Sequence, residues 1–316
     1  MACDNNQCQT EEIKPRINKV DPSDTYWVEG GMGKHVMFTA IIPQLAKKSP
    51  SGKINMISAF YDVFFNNPYV ANSWSIDEFN KFKHEFQPYI TKIENYEPYK
   101  GTFALYYNKH LVKDWADHYG VEFDIQKDRP QIFLDEKLAK KMRNTLKKKV
   151  GENYIVVQFT GGQPAIAYQD GTPYQINDLI MRRNYPFPMA KHFILKLRQK
   201  LPDLKIIDFS LPNEHPGLPG VIRIPAPYIA FYEVAKHAKT FVGIDSSFAH
   251  IAAAAGKPGI VLWGGTRMEQ YGWPLHTNLT NYDGKSKFDE NDPFYVAIDY
   301  DRLVEKVVKR VKETKS

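Results

Sequence analysis

Apolar runs alternate with amphipathic stretches along most of the chain. Short blocks rich in β-branched and aromatic residues read as strands: TYWV (25–28), INMISAF (54–60), NYIVVQFTGG (153–162), LKIIDFS (204–210), TFVGI (240–244) and GIVLWG (259–264). Between them apolar residues recur at helical spacing, in KHVMFTAIIPQLAKK (34–48), YYNKHLVKDWADHYG (106–120), DEKLAKKMRNTLKKKVG (135–151), MAKHFILKLRQKLP (189–202), PYIAFYEVAKHAK (227–239), residues 245–255 and DYDRLVEKVVKRVKET (299–314). Pro43 lacks an amide N–H and should kink or end the first of these helices. Gly120 and Gly151 should close the next two. NNPYVANSWS (66–75) reads as loop.

Strands alternating with helices predict an α/β protein with parallel, doubly wound sheets. The opening of strand, glycine turn and helix occurs twice, at EGGMG (29–33) and at TGGQ (160–163), so two Rossmann-like domains facing a cleft are expected. The 316 residues suit two domains of about 150 each. The predicted division is a flexible leader over 1–20, an N-terminal domain over 21–150 and a C-terminal domain over 151–316, with the boundary near 147–153. The terminal helix is free to pack back on the first domain. Both cysteines, Cys3 and Cys8, fall in the polar leader and can neither staple a fold nor complete a zinc site. The leader has no secretory h-region, and no apolar run reaches the ~20 residues of a membrane span. A cytoplasmic protein is expected.

The formal net charge of +6 favours anionic partners such as nucleotides, phosphorylated glycans or nucleic acid. Its basic clusters, 137–149 and 306–315, read first as solvated helix faces and second as binding patches. Aromatic residues make up 14% of the chain, a load that suits stacking on bases or sugars, although most rings should be core.

Candidate chemistry concentrates in FVGIDSSFAHIAAAAGKPGIVLWGGT (241–266). A helix N-terminus at the carboxyl end of a parallel strand exposes amide N–H groups and binds anions. Asp245, Ser246 and Ser247 occupy that turn, and His250 follows on the same helix face. The competing reading is a plain helix cap and a core histidine. GGT (264–266) ends the next strand and offers Thr266. In the turn after the first strand of the second half, Thr160, Gly161 and Gly162 allow a ligand to approach the main chain. Arg182 and Arg183 can neutralise phosphate. In the first half Glu29, Lys34 and His35 flank the glycine turn. No dinucleotide fingerprint and no P-loop is present. His110, His118, His192 and His237 have no partner spacing, and Asp299-Tyr300-Asp301 reads as a helix cap rather than a metal motif. No metal constellation is visible.

On GGMGKHVMFTAIIPQL, YIVVQFTGG, RRNYP and above all IDSSFAHIAAAAGKPGIVLWGGT, the chain resembles the heptosyltransferase group, glycosyltransferase family nine, over most of residues 25–312. The resemblance implies the GT-B fold and transfer of a sugar from a nucleotide diphosphate sugar to an acceptor hydroxyl, with no cofactor and no metal. It implies donor contacts by Asp245, Ser246, Ser247 and His250, a phosphate contact by Arg183 at the family's lysine position, and further contacts by Thr160 and Gly161. The implied acceptor is an anionic glycan of the lipopolysaccharide-core type, with a hydroxymethylated base in DNA as the alternative and a non-catalytic nucleotide-sugar binding protein as a third reading. One departure stands out: Lys34 occupies the position of the family's aspartate, the presumed general base. Glu29, His35 or Asp62 then takes that role, or the acceptor differs, or transfer is lost. The oligomeric state is left open.

Overall fold

A computed structural model describes residues 17–18, 21–100, 108–161, 166–169, 172–175, 183–210, 217–280 and 298–314, with 166–169 and 172–175 described as backbone only. The leader expected over 1–20 lies outside this set apart from 17–18, as does Gly162. The first half comprises β1 (Ser23–Val28), α1 (Met32–Phe38), α2 (Ile42–Lys48), β2 (Ile54–Ser58), β3 (Val70–Trp74), α3 (Ile76–Lys81), α4 (Lys83–Phe86), β4 (Ile90–Glu94), α5 (Leu111–Tyr119) and α6 (Glu136–Lys149). The second half has β5 (Tyr154–Gln158), a hairpin of β6 (Ile166–Gln169) and β7 (Thr172–Gln175), then α7 (Phe187–Lys200), β8 (Lys205–Asp208), β9 (Ile222–Arg223) and α8 (Phe231–His237). It closes with β10 (Phe241–Ile244), α9 (Ser247–Ala254), β11 (Ile260–Trp263), α10 (Met268–Tyr271), β12 (Thr277–Thr280) and α11 (Tyr300–Glu313).

The α/β expectation holds. One parallel sheet has the order β3-β2-β1-β4 and the other β12-β11-β10-β5-β8-β9. Inner strands such as IVLW in β11 and YIVVQ in β5 are buried at every position, as strands covered on both faces must be. Because all strands of a sheet run the same way, the loops after β1 and β2 share one edge of the first sheet. Those after β5, β8, β10 and β11 share one edge of the second.

Three expectations need correction. Residues 70–74 form β3 rather than loop. Its Asn72 is buried and donates to Asn55 Oδ1 at 3.1 Å, so a satisfied polar residue interrupts the apolar pattern. The helix expected over 34–48 starts at Met32 and breaks into α1, a 3-10 turn at Thr39–Ile41, and α2, whose first turn holds Pro43. A proline there has no N–H to give the carbonyl one turn back, and the chain tightens to compensate. The terminal helix α11 packs on α7 and buries Leu303, Val304 and Val307 in the core that lies under β5 and β10, rather than returning to the first half.

The halves share one apolar cluster. In it α1 packs on α9 and α6 on α8, and the cluster joins Val36, Met37 and Phe38 with Phe248 and Ile251, and Met142 and Leu146 with Val234 and Ala235. Arg143 Nη1 reaches the nearly buried Glu233 at 3.3 Å and ties α6 to α8. Among the described residues no helix is long and apolar enough to cross a membrane.

Candidate functional site

Asp245 follows the end of β10, and Ser246 is the N-cap residue of α9, in extended conformation (φ −157°, ψ 172°). Its side chain does not cap the helix. Its hydroxyl instead accepts from Gln158 Nε2 of β5 at 2.9 Å. The plain-cap reading of this turn therefore does not hold for Ser246. The first-turn amides of α9 carry no side-chain cap, and the Ser246 and Ser247 side chains stand half-buried beside them. Gly161 lies against this turn. A Cβ on Gly161 would sit 2.7 Å from Ser246 Oγ, so any side chain there would push Ser246 aside where the β5 loop approaches α9. The Gly161 amide donates to Asn184 Oδ1 at 3.1 Å. Thr160 donates to Ser210 Oγ at 3.3 Å, and Ser210 donates on to buried Asp208 at 2.7 Å, which Arg223 Nε also reaches at 3.2 Å.

Arg183 Nη1 stands 3.9 Å from Asp245 Oδ2. Burial raises the Asp245 carboxyl above its ordinary range, and the Arg183 charge and the nearby Thr266 hydroxyl oppose the rise. Thr266 Oγ1 is itself buried without a partner in hydrogen-bond geometry, so its effect on Asp245 is one of proximity.

His250 is 4% exposed. Trp273 Nε1 donates to its Nδ1 at 2.9 Å. An indole N–H can only donate, so Nδ1 is bare and the ring proton is assigned to Nε2. Burial, with a smaller contribution from the Arg183 charge, pushes the imidazole down to about 3. At neutral pH His250 is a fixed, uncharged donor, not an acid or a base. It abuts the first half, since a Cβ on Gly33 would lie 3.1 Å from His250 Cδ2 and 3.5 Å from Nε2.

The next residue, Lys34, puts its ammonium 2.7 and 2.5 Å from the two carboxylate oxygens of Glu97. The two side chains are only 11% and 12% exposed, and the ammonium lies 4.6 Å over the Tyr99 ring. Burial lowers the Lys34 pKa and Glu97 opposes the shift. Tyr99 also hydrogen-bonds Tyr271 of the second half, bridging the two walls, and burial raises Tyr271 to about 12. Glu97 was not foreseen, because it follows β4, a strand the pattern does not announce.

The other base candidates fare unequally. His35 has no exposed surface, and both its nitrogens face carbonyl oxygens, Nδ1 to Gly31 at 3.0 Å and Nε2 to Val28 at 2.9 Å. It ties the end of β1 to the start of α1 and has no route to a substrate, which corrects its assignment as a base. Glu29 is 39% exposed and pairs loosely with Lys100 at 3.8 Å. Asp62 lies in a 3-10 turn after β2, where burial raises its carboxyl and its own turn's amides oppose.

Asp299 caps α11 by accepting from Arg302 N at 2.8 Å, and Asp301 pairs with Lys196 at 2.5 Å, as a cap reading requires. Among the described residues no group of three His, Cys, Asp or Glu is arranged to hold a metal. His118 and His192 stack on Tyr96 and Tyr300, and His237 pairs with Glu233. His110 is different. It is 6% exposed, its ring packs on Phe123 and Trp273, and neither nitrogen has a partner in hydrogen-bond geometry.

Residues 229–292, which carry this turn and helix, match the model of glycosyltransferase family 9 (heptosyltransferase). The fold is the GT-B fold of family 9 glycosyltransferases. A family 9 glycosyl transferase from Veillonella parvula superposes with a TM-score of 0.64 at 12% identity, over 93% of this chain and 98% of that one. The Escherichia coli ADP-heptose lps heptosyltransferase II gives 0.59 at 12% identity, over 92% and 99%. The E. coli heptosyltransferase WaaC with ADP gives 0.58 at 12% identity, over 90% and 99%. No curated protein matches the sequence.

Proposed function

We propose that this chain is a glycosyltransferase that moves a sugar from a nucleoside diphosphate donor to an acceptor hydroxyl. The carrying observation is the uncapped N-terminus of α9, with Ser246, Ser247, Arg183 and the Nε2–H of His250 around it, inside the segment that matches family 9. Breaking the bond between sugar and phosphate loads negative charge on the leaving diphosphate. Preformed amide and imidazole donors and the Arg183 guanidinium meet that charge without reorganising. The amide row and the His250 Nε2–H supply fixed donors directed at the leaving diphosphate, which supports a metal-independent reaction. The facing wall at Lys34 and Glu97 leaves the acceptor to approach from the side opposite the diphosphate, which supports inversion. The match to the heptosyltransferase family over residues 229–292 supports an anionic glycan acceptor of the lipopolysaccharide-core type.

Titration calorimetry with ADP-D-β-D-heptose, ADP-glucose and UDP-glucose tests the donor site. His250→Ala and Arg183→Ala are expected to weaken binding by about 10–100-fold, on the order of 1.4–2.7 kcal/mol, while circular dichroism stays unchanged. Turnover should persist in excess EDTA. Undiminished binding in both variants refutes the site.

A further inference from the structure

Sugar transfer needs somewhere for the acceptor's proton to go, and the wall facing the donor site holds one carboxylate locked in position. We propose that Glu97 takes that proton and that Lys34 is its positioning residue. This rests on the glycosyl-transfer reading above. Gly33 packs on His250 and on Ser247 Cα, so the first turn of α1 stands on the first turn of α9, and Lys34 is the next residue. Its ammonium holds both oxygens of Glu97, and the Tyr99 amide donates to Oε1 at 3.2 Å. Among the described residues Oε1 thus receives two donors and Oε2 one, which leaves Oε2 the less occupied oxygen. The rivals are worse placed. His35 is sealed off, and Glu29 is held only by an exposed lysine at 3.8 Å. Asp62 sits one loop away, after β2. The Lys34 ammonium that holds Glu97 also lies 4.6 Å over the Tyr99 ring, so Glu97 is fixed to the same wall as Gly33, the residue that packs on His250.

In the step, an oxygen lone pair of the acceptor forms a bond to the anomeric carbon. The bond from that carbon to the diphosphate oxygen breaks, and its electron pair leaves with the diphosphate. The acceptor proton passes to Glu97 Oε2, which releases it to solvent once product leaves. Lys34 keeps its own proton throughout.

Water can stand in for the acceptor, so the test needs no identified glycan. The full chain is incubated with ADP-D-β-D-heptose, ADP-glucose and UDP-glucose in turn, and release of the nucleoside diphosphate is followed alongside calorimetric binding. Glu97→Gln is expected to bind donor within about threefold of wild type and to lose about 10²–10⁴-fold in turnover. Glu97→Ala is expected to regain turnover on addition of formate, which a purely structural role would not produce. Lys34→Met should lower turnover with donor affinity kept, and Lys34→Arg should restore part of it. If Glu97→Gln does not fold, the double variant Glu97→Gln, Lys34→Met removes the unpaired ammonium and is read the same way. Turnover of Glu97→Gln within about threefold of wild type overturns Glu97 alone, as does absence of formate rescue. A wild-type chain that binds donor but never releases diphosphate also overturns it. A wild-type chain that binds none of the three donors overturns the glycosyl-transfer reading, and Glu97 with it.

Discussion

Acidification should strongly destabilise this protein well above the pH at which its carboxylates titrate, because three buried imidazoles surround Trp273 and α9. His250 and His110 are pushed down to about 3 and His276 to about 4, in each case mainly by burial. A proton on His250 would further disfavour protonation of the other two. In the unfolded chain each would titrate near 6.5. Between that value and the folded ones the unfolded state binds more protons, so stability is fully present above about pH 6.5 and drains away as pH falls. At pH 5 the unfolded imidazoles are almost wholly charged and the folded ones neutral, which costs about 2 kcal/mol each and about 6 kcal/mol together. That is comparable to the whole stability of an ordinary domain, about 5–15 kcal/mol. Asp245, whose carboxyl is raised, works in the opposite sense just above its ordinary value and recovers part of the loss. Urea titrations at pH 8, 6 and 5, read by tryptophan fluorescence, measure the effect directly. Trp273 is a built-in reporter, donating to His250 and lying 5.0 Å from the His110 ring. His110→Leu should cost little stability at pH 8, because the Gly272 backbone group nearest its ring lies outside hydrogen-bond geometry, and should shrink the loss at pH 5 by about 2 kcal/mol. Equal urea midpoints at pH 8 and pH 5 would refute the reasoning.

Two further substitutions probe the proposed donor wall. Gly161→Ala forces Ser246 Oγ away from a contact of 2.7 Å and leaves Gln158 Nε2 unpartnered, so a loss of about 1–3 kcal/mol in stability and weaker binding of ADP are expected; an unchanged melting temperature and dissociation constant would contradict it. Trp273→Phe removes the donor that fixes the His250 tautomer, and binding of ADP should weaken by roughly 3–10-fold, about 0.7–1.4 kcal/mol; calorimetry showing no change would mean that His250 Nε2–H does not reach the diphosphate.

The legibility of the fold follows the position of each strand in its sheet. β1, β2, β5, β8, β10 and β11 are the interior strands, and all six stand out as apolar runs because both faces and both edges are covered. β3, β4, β9 and β12 are the edges, and none is announced by the pattern. In β4 the residues Thr91, Lys92 and Ile93 are exposed, so an edge strand with solvent on one side looks like a polar loop. The site inherits this asymmetry. Asp245, Ser246, Ser247, His250, Thr160 and Gly161 follow interior strands and could be read from the chain. Glu97 follows an edge strand and could not. Trp273 and His110 were missed for another reason: their role exists only through contacts with His250 and Phe123 that no local spacing encodes. His35 misled in the opposite direction, since its place beside the glycine turn is also the place from which a side chain can bond the end of β1 and the start of α1.

Net charge is a poor guide to this cleft. The basic residues that give the chain its excess include Lys137, Lys140, Lys141, Lys147, Lys148 and Lys149, all exposed on α6, whose buried positions Ala139, Met142 and Leu146 face the core. Charges on an outer helix face are damped within roughly 8–10 Å at physiological salt. Inside the cleft each wall carries a pair of opposite sign, Lys34 with Glu97 on one and Arg183 with Asp245 on the other. Neither wall therefore attracts a diphosphate by excess charge. What remains directional is the row of uncapped amides at the start of α9 and the single proton on His250 Nε2, both fixed by packing before any ligand arrives. A buried carboxylate beside an anion site is consistent with this arrangement: Asp245 offsets the guanidinium in the empty cleft, and a diphosphate that reaches Arg183 takes over part of that role, so recognition turns on geometry and the exchange of one anionic partner for another.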